Sequence, residues 1–433
     1  MYAVRIKRFL LKRYMNIATM DGSTIAVLVA GVLLRFSVFL WIPNLAHVLD
    51  QFSLFSTPIN SYRTLNEGIY LLSNNLNPYQ QGEIIHHPPL LLKFFAILKN
   101  SQIEDNFNTN LFYSVLDLFI CLQLIKISGL LNGKKGFSPF KIACFYMFNP
   151  FTLLTTFARS TYLTNNLILI STFSCLMKNQ VDVAIVLLSL STYLTYYSWY
   201  LLIPICYSIY QEKKKVKSVI SAVLLFLAPI GVLFGVSYNL SNNSFNFINL
   251  CYVTLIKFKK ITPNLGLWWY FFTEIFEFFN DFYLSVFNLY GFIFIFPLSI
   301  RFITAGNKMS LLFVIWIIIG ITNFSKPYPV FSDYSLFYSS VFLFKPYYKF
   351  LKFSPVVSYV ALFVVFLQAP TFYVVWMILN SGNANFFYAI SLALNLVQTV
   401  ILSDFLWAFL QAEYYNTHIS KDSEEQYPKL TQL

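Results

Sequence analysis

Residues 263–290 read PNLGLWWYFFTEIFEFFNDFYLSVFNLY. The apolar positions are almost all aromatic, and Glu274, Glu277 and Asp281 stand among them. That is too much charge for a plain membrane span and too many rings for a soluble loop. Aromatic side chains with one polar end prefer the boundary between lipid headgroups and acyl chains. A continuous helix here would carry the three acids at spacings of three and four, on one face, with Phe271, Phe272, Phe276, Phe278, Phe279 and Phe282 on the remainder. The expected element is a helix lying at or dipping into the interface, holding anionic groups at headgroup depth. Lys257, Lys259 and Lys260 bring positive charge just upstream, and acids beside bases suit a headgroup that bears both amines and phosphates. The same spacing is met by acids that only snorkel to water from an aromatic anchor.

The rest of the chain has the composition of a membrane protein. Of 433 residues, 57% are hydrophobic, 20% aromatic and only 11% charged, which excludes an ordinary soluble enzyme. The net charge of +12 reads first as basic loops retained on the cytoplasmic side; no basic run is interleaved with base-stacking rings, so nucleic acid is not an expected partner. Cys121, Cys144, Cys175, Cys206 and Cys251 sit mostly inside apolar runs without CxxC spacing, which argues against disulfide staples and zinc.

Charge placement orders the spans. Arg5, Lys7, Arg8, Lys12 and Arg13 precede the run Ile25 to Pro43, a signal anchor with a cytoplasmic N-terminus. The polar stretch Asn44 to His87, with Arg63 its only Lys or Arg, is then lumenal. Pro88 to Leu98 is too short to cross about 30 Å at 1.5 Å per residue and reads as a re-entrant or interfacial half-helix. Spans are expected at Leu111 to Leu131, at about 141–157 and at 161–177. Val181 to Tyr210 reads as two short helices breaking near Tyr196 to Ser198, because one crossing would leave Gln211 to Lys217, QEKKKVK, in the lumen. Further spans fall near 218–238, 282–300, 309–323, 335–345, 355–379 and 387–410. The expected architecture is an all-α, polytopic bundle of about twelve spans, one transmembrane domain over 1–412 followed by a polar cytoplasmic tail over 413–433. The triplets at Asn239 and Asn242 have the pattern of glycosylation acceptors, a weak signal.

Several polar residues fall where chemistry or pairing is expected. Arg35 lies inside the first span and Asp117 inside the second; charges at that depth face one another or a wet cavity. Arg159 with Asn165 and Asn166 forms one polar cluster, and Asn323, Lys326 and Asp333 another. His86 and His87 precede Pro88-Pro89; neighbours in an extended chain point apart, which disfavours shared metal ligation and suits helix capping or partner contact. Asn383 and Asn385 stand at the start of the last helix, where amides cap free N–H groups or, with the positive helix end, attract phosphate. Lipid-linked sugar transferases of the GT-C type use an acid of the first lumenal loop as base and metal ligand; here that loop offers Asp50, Glu67 and Glu83, widely spaced and without a DxD.

Seven blocks together carry a resemblance: TPINSYRTLNEGIYLL (57–72), NPYQQGEIIHHPPLLL (77–92), FYMFNPFTLLTTFARSTYLTNNLI (145–168), TPNLGLWWYFFTEIFEFF (262–279), KPYPVFSDYSLF (326–337), SGNANFFYAI (381–390) and LSDFLWAFLQAEYYNTH (402–418). In this order the chain resembles the PIG-U family, the multi-spanning subunit of the glycosylphosphatidylinositol (GPI) transamidase in the endoplasmic reticulum, over most of its length. The stretches around Asn100 to Asn110 and Ser237 to Asn249 match nothing in it. The resemblance implies a GT-C-like architecture that has lost catalysis, a multi-pass location in the endoplasmic reticulum membrane, the GPI glycolipid as ligand, and partnership with a cysteine-protease-like catalytic subunit and other membrane or lumenal subunits. No cofactor and no metal are implied. The aromatic-acidic segment is also similar to part of fatty acid elongases, which implies lipid recognition. The expected lipid contacts are Asn264, Trp268, Trp269, Tyr270, Phe272, Glu274, Glu277, Asn383 and Asn385, with His86 and His87 at a partner. The runner-up is a lumenal GT-C-type mannosyltransferase of GPI-anchor biosynthesis.

Overall fold

The computed structural model describes residues 20–80, 84–99, 107–258 and 261–418. The basic N-terminal head, Glu83, Lys259, Lys260 and the tail beyond His418 lie outside the described residues. Within them every regular element is helical. Seven helices are long and apolar enough to cross a membrane, beginning with α1 (Gly22–Trp41). The other expected crossings coincide with short or broken helices, so this is a polytopic helical membrane protein.

The breaks follow the sequence chemistry. After α1 come α2 (Leu45–Asp50), α3 (Tyr62–Ser73), the eleven-residue α4 (Pro89–Lys99) and the long α5 (Phe107–Asn132). The expected span at 141–157 is two helices, α6 (Pro139–Met147) and α7 (Pro150–Phe157), because Pro150 cannot continue a helix and Asn149 restarts one by accepting from Phe151 N–H at 3.0 Å. Next are α8 (Tyr162–Met177) and α9 (Val181–Leu194). A 3-10 turn over Tyr196–Leu201 then leads to α10 (Leu202–Lys213), so the break foreseen near Tyr196 is present. The long α11 (Val216–Leu240) follows.

Residues 263–290 do not form one helix. α12 (Trp268–Glu274) stops where Ile275 and Phe276 become extended, and α13 (Asn280–Ile293) begins after a short 3-10 turn. The expectation that Glu274, Glu277 and Asp281 share a helical face is therefore corrected. The reason lies in the rings: Phe271 packs on Tyr283 at 4.7 Å and on Phe287 at 5.2 Å, and Trp268 on Phe287 at 5.1 Å. In a continuous helix residues 271 and 283 would be about 18 Å apart, so closing those contacts requires the break.

α14 (Ile295–Phe302), α15 (Lys308–Ser325), α16 (Phe331–Ser339), α17 (Pro355–Tyr373) and α18 (Ala384–His418) complete the fold. α18 continues past the expected boundary at Ala412, and Glu413 pairs with Arg301 at 2.8 Å. α15 is central, with nearly every side chain from Ser310 to Asn323 buried. Around it, α11 exposes Ile220, Leu224, Leu227 and Val232, and α17 exposes Val360 and Leu367. Apolar faces of that extent are stable against lipid or an apolar face of a partner.

α1, α5, α6 and α7 meet at one buried ion pair. Arg35 Nε lies 2.6 Å from Asp117 Oδ2, both side chains fully buried. The guanidinium also donates to Met147 O at 2.8 Å, Gly31 O at 3.1 Å and Thr152 Oγ1 at 3.3 Å. Asp117 accepts from Tyr146 O–H at 2.8 Å and from Thr156 O–H. The carbonyl of Met147, freed where the helix breaks at Pro150, is thus satisfied by a charge. Gly31 permits the approach, since a Cβ there would lie 2.6 Å from Met147. Removing one member leaves the other buried and unpaired, at a cost of roughly 3–5 kcal/mol, whereas replacing both with apolar groups is far milder. Arg35→Met is therefore expected to lower the melting temperature of the detergent-purified protein sharply. Arg35→Met with Asp117→Leu is expected to recover part of that loss; a double variant as unstable as the sum of the single ones would contradict the pairing.

Candidate functional site

The aromatic stretch 263–290 reaches its partners through a turn that Asn264 builds. Its side-chain amide donates to Thr262 O at 2.9 Å and Pro327 O at 3.1 Å, its Oδ1 accepts from Gly266 N–H at 2.6 Å, and its carbonyl accepts from Ser391 O–H at 3.2 Å. Asn264 is fully buried, and its role is to position α12 against α18.

On α12, Trp268 points into the protein and donates from Nε1 to Ser325 O at 3.0 Å. Phe272, also buried, stacks beside it. Trp269 stacks on Trp376 at 5.5 Å and 28°, and touches Phe387 and Tyr388. Its indole N–H is buried without a hydrogen-bond partner. Tyr270 stacks on Tyr388 at 4.2 Å and 12° and donates from its hydroxyl to Asn385 Oδ1. Asn383 Oδ1 accepts from Asn385 N–H at 2.9 Å, capping the start of α18. The turn before it depends on Gly382, whose φ of +146° is open to glycine and strained for any L side chain. Two stretches 115 residues apart in sequence are thus one aromatic and amide cluster.

The acids stand at its edge. Glu274 and Glu277 are exposed, and beside them Phe276 and Phe278 are 80% and 88% exposed. Ile378, Leu379 and Phe386 extend the exposed apolar surface on the other side. The surface offers rings and aliphatic groups to acyl chains, two carboxylates to cations, and amides to a polar head.

His86 and His87 are turned inward. His86 Nδ1 lies 2.7 Å from Leu250 O, and His87 Nε2 lies 2.9 Å from Ser61 O and 3.1 Å from Thr64 Oγ1. A ring nitrogen facing a carbonyl carries the proton, so His87 Nε2 is the donor. Burial chiefly, with the repulsion of His86 and against the pull of the Ser61 carbonyl, lowers the His87 pKa from 6.5 to about 4. Among the described residues no set of three or more His, Cys, Asp or Glu is arranged to hold a metal.

The polar clusters regroup. Lys326 Nζ lies 2.5 Å from Asp333 Oδ1, and Asn323 donates to Asp333 O at 2.9 Å, as their proximity in sequence suggests. Asn165 and Asn166 line the small cavity beside that pair. Arg159 does not join them; its guanidinium donates to Asn110 Oδ1 at 2.5 Å, because the left-handed backbone at Arg159, φ 50°, turns it away from α8. Sequence reading missed Tyr388 and Trp376. Tyr388 stands one helical turn after Asn385, which is the only sequence signal that could have joined it to the amides.

A many-helix, lipid-exposed bundle with an aromatic and amide junction at the start of its last helix defines a multi-pass membrane protein. The family model described as GPI transamidase subunit PIG-U matches residues 29–394, so the chain belongs to the PIG-U family. It is 35% identical over 403 residues to the GPI transamidase component GAB1 of Saccharomyces cerevisiae, spanning 92% of this chain and 97% of that protein. It is 28% identical over 428 residues to the GPI-anchor transamidase component PIGU of Homo sapiens, spanning 92% and 96%. To the GAB1 homolog of Schizosaccharomyces pombe it is 29% identical over 378 residues, spanning 84% and 88%.

With the folded-state pKa of His87 below its unfolded value, the folded protein binds fewer protons between the two. The stability that the neutral ring contributes is complete above pH 6.5 and lost as pH falls toward 4. Melting temperature should drop over that window in the wild type and drop less in His87→Gln; parallel curves for the two would count against the buried neutral imidazole.

Proposed function

We propose that the chain is a non-catalytic subunit of the GPI transamidase in the endoplasmic reticulum membrane, where it binds the GPI lipid and presents it for attachment to the C-terminus of precursor proteins. The relatives' names supply the assembly. The observation that carries the lipid role is the junction of Trp269 and Tyr270 with Asn385 and Tyr388. It combines stacked rings, a buried indole N–H without a partner, and a capped helix start, beside exposed apolar surface. Acyl chains lie along Ile378, Leu379, Phe386 and Phe276, while the helix start and the amides of Asn383 and Asn385 attract the phosphate. Glu274 and Glu277 meet the amine of the lipid's polar part or cations of a partner subunit. Trp268, Phe272 and Asn264 act by holding α12 in position. Such fixing of one reactant contributes to rate by orientation, with the nucleophile and its base on a cysteine-protease-like partner subunit.

The mannosyltransferase reading needs a free acid in the first lumenal loop. Asp50 is instead committed to capping α3: it accepts from Ser56 and Ser61 hydroxyls, from Tyr62 N–H at 3.2 Å and from Arg63 N–H at 3.0 Å. Glu67 pairs with Arg63 on the surface. Both Asp50 oxygens are thus engaged within the protein and Glu67 is in an ion pair, so neither described acid of that loop stands free, which favours the non-catalytic role.

Cells whose only copy carries Glu274→Ala and Glu277→Ala should assemble the complex normally and attach GPI several-fold less, accumulating complete GPI beside unprocessed precursor. Normal attachment would sink the role given to the acids. An incomplete GPI accumulating on loss of the chain would point to sugar transfer.

A further inference from the structure

Between α2, α3 and the end of α4, well separated in sequence from the aromatic junction, the structure forms an open cavity of about 720 Å³. That volume suits a small ligand. Its charged lining residues are Asp50, Arg63, Glu67, Lys99 and Arg159, with His47 at the edge. Asp50 is spent on backbone N–H groups, and Glu67 is paired with Arg63 in the open. Lys99 and Arg159 remain, and neither has a carboxylate partner among the described residues.

Arg159 is only 3% exposed. Its guanidinium lies 5.1 Å from the Tyr62 ring centre and 5.2 Å from that of Phe39, and its bond to Asn110 uses one terminal nitrogen. The Nε–H has no partner, nor does the Tyr62 hydroxyl. Lys99 Nζ sits 5.8 Å over the same Tyr62 ring, held by Asn66 Oδ1 at 3.0 Å. Tyr113 O–H donates to the Arg159 carbonyl at 2.7 Å and holds the backbone in its left-handed conformation, which a non-glycine residue adopts only when held.

A buried guanidinium facing ring faces and one amide is poorly compensated; its desolvation is offset when an oxyanion joins it. The Arg159 Nε–H and Tyr62 O–H, both without a partner, and the remaining N–H bonds of Lys99 Nζ are donors of three kinds around one ring. They suit the several oxygens of a tetrahedral anion better than the two of a planar carboxylate. Asn44, Asn66 and Tyr70 also line the cavity and can meet hydroxyl groups.

We propose that this cavity binds a phosphate ester, with Arg159, Lys99 and Tyr62 on the phosphoryl oxygens and the lining amides on an attached sugar or cyclitol. The site is independent of the lipid role given to the aromatic junction.

Full-length protein purified in detergent, with whatever subunits accompany it, can be titrated calorimetrically with glycerophosphoinositol, inorganic phosphate and myo-inositol. Glycerophosphoinositol should bind, myo-inositol should not, and Lys99→Gln should weaken binding at least tenfold. Arg159→Asn, which keeps a side chain tolerant of the left-handed backbone, should abolish it; the half-buried Lys99 variant keeps the question open to answer if Arg159→Asn does not fold. Tighter binding of glycerophosphoinositol than of inorganic phosphate assigns the site to an esterified phosphate, and equal binding assigns it to free phosphate; both support an oxyanion site. No binding by the wild type, binding of myo-inositol as tight as that of its phosphodiester, or full affinity in Lys99→Gln would overturn the proposal. Failure here would leave attachment through residues 268–277 untouched, since that is read from the cellular assay.

Discussion

The buried pair Arg35 and Asp117 is the constraint on which the packing of α1, α5, α6 and α7 rests. Pro150 breaks the α6–α7 crossing and frees a carbonyl inside the protein, where no water or lipid can satisfy it. Arg35 reaches that carbonyl, and Asp117 neutralises Arg35 while accepting from Tyr146 and Thr156 on either side of the break. Four helices are thereby tied at one point. A charge here specifies one arrangement of a broken helix that apolar packing alone would leave free to slide.

The consequences extend along α7. Its direction after the break delivers Arg159 to the cavity beside Tyr62 and Phe39, and Ser160 and Thr161 to Asn60 in the first polar loop. That loop is further pinned by Phe331 N–H on Leu54 O at 3.2 Å and by Ser53 O–H on Pro263 O at 2.5 Å. The turn at Pro263 in turn aims α12 at the start of α18. A chain of short, hydrogen-bonded contacts thus runs from the buried ion pair to the aromatic junction.

Much of this was legible in the sequence. Ionisable residues inside apolar runs must pair, so Arg35 and Asp117 were readable from depth alone, and a proline after an apolar run marks a helix boundary wherever it falls. The break near Tyr196 followed from where the lysines of Gln211 to Lys217 have to be. Composition singled out residues 263–290 and helix-start chemistry Asn383 and Asn385, but no local pattern joins positions so far apart, and their meeting was not legible. What stayed hidden was tertiary. Periodicity could not reveal that Phe271 and Tyr283 meet and so divide the acids between two elements. Nor could it show that the adjacent histidines turn to different carbonyls, or that one left-handed residue sends Arg159 away from its sequence neighbours.

The most direct measurement is a density map of the assembled complex with a GPI glycolipid bound. The account expects the acyl chains along Ile378, Leu379 and Phe386, with the headgroup within contact of Trp269, Asn383 or Asn385. A glycolipid held elsewhere, with this junction covered by a partner subunit or by bulk lipid alone, would contradict it.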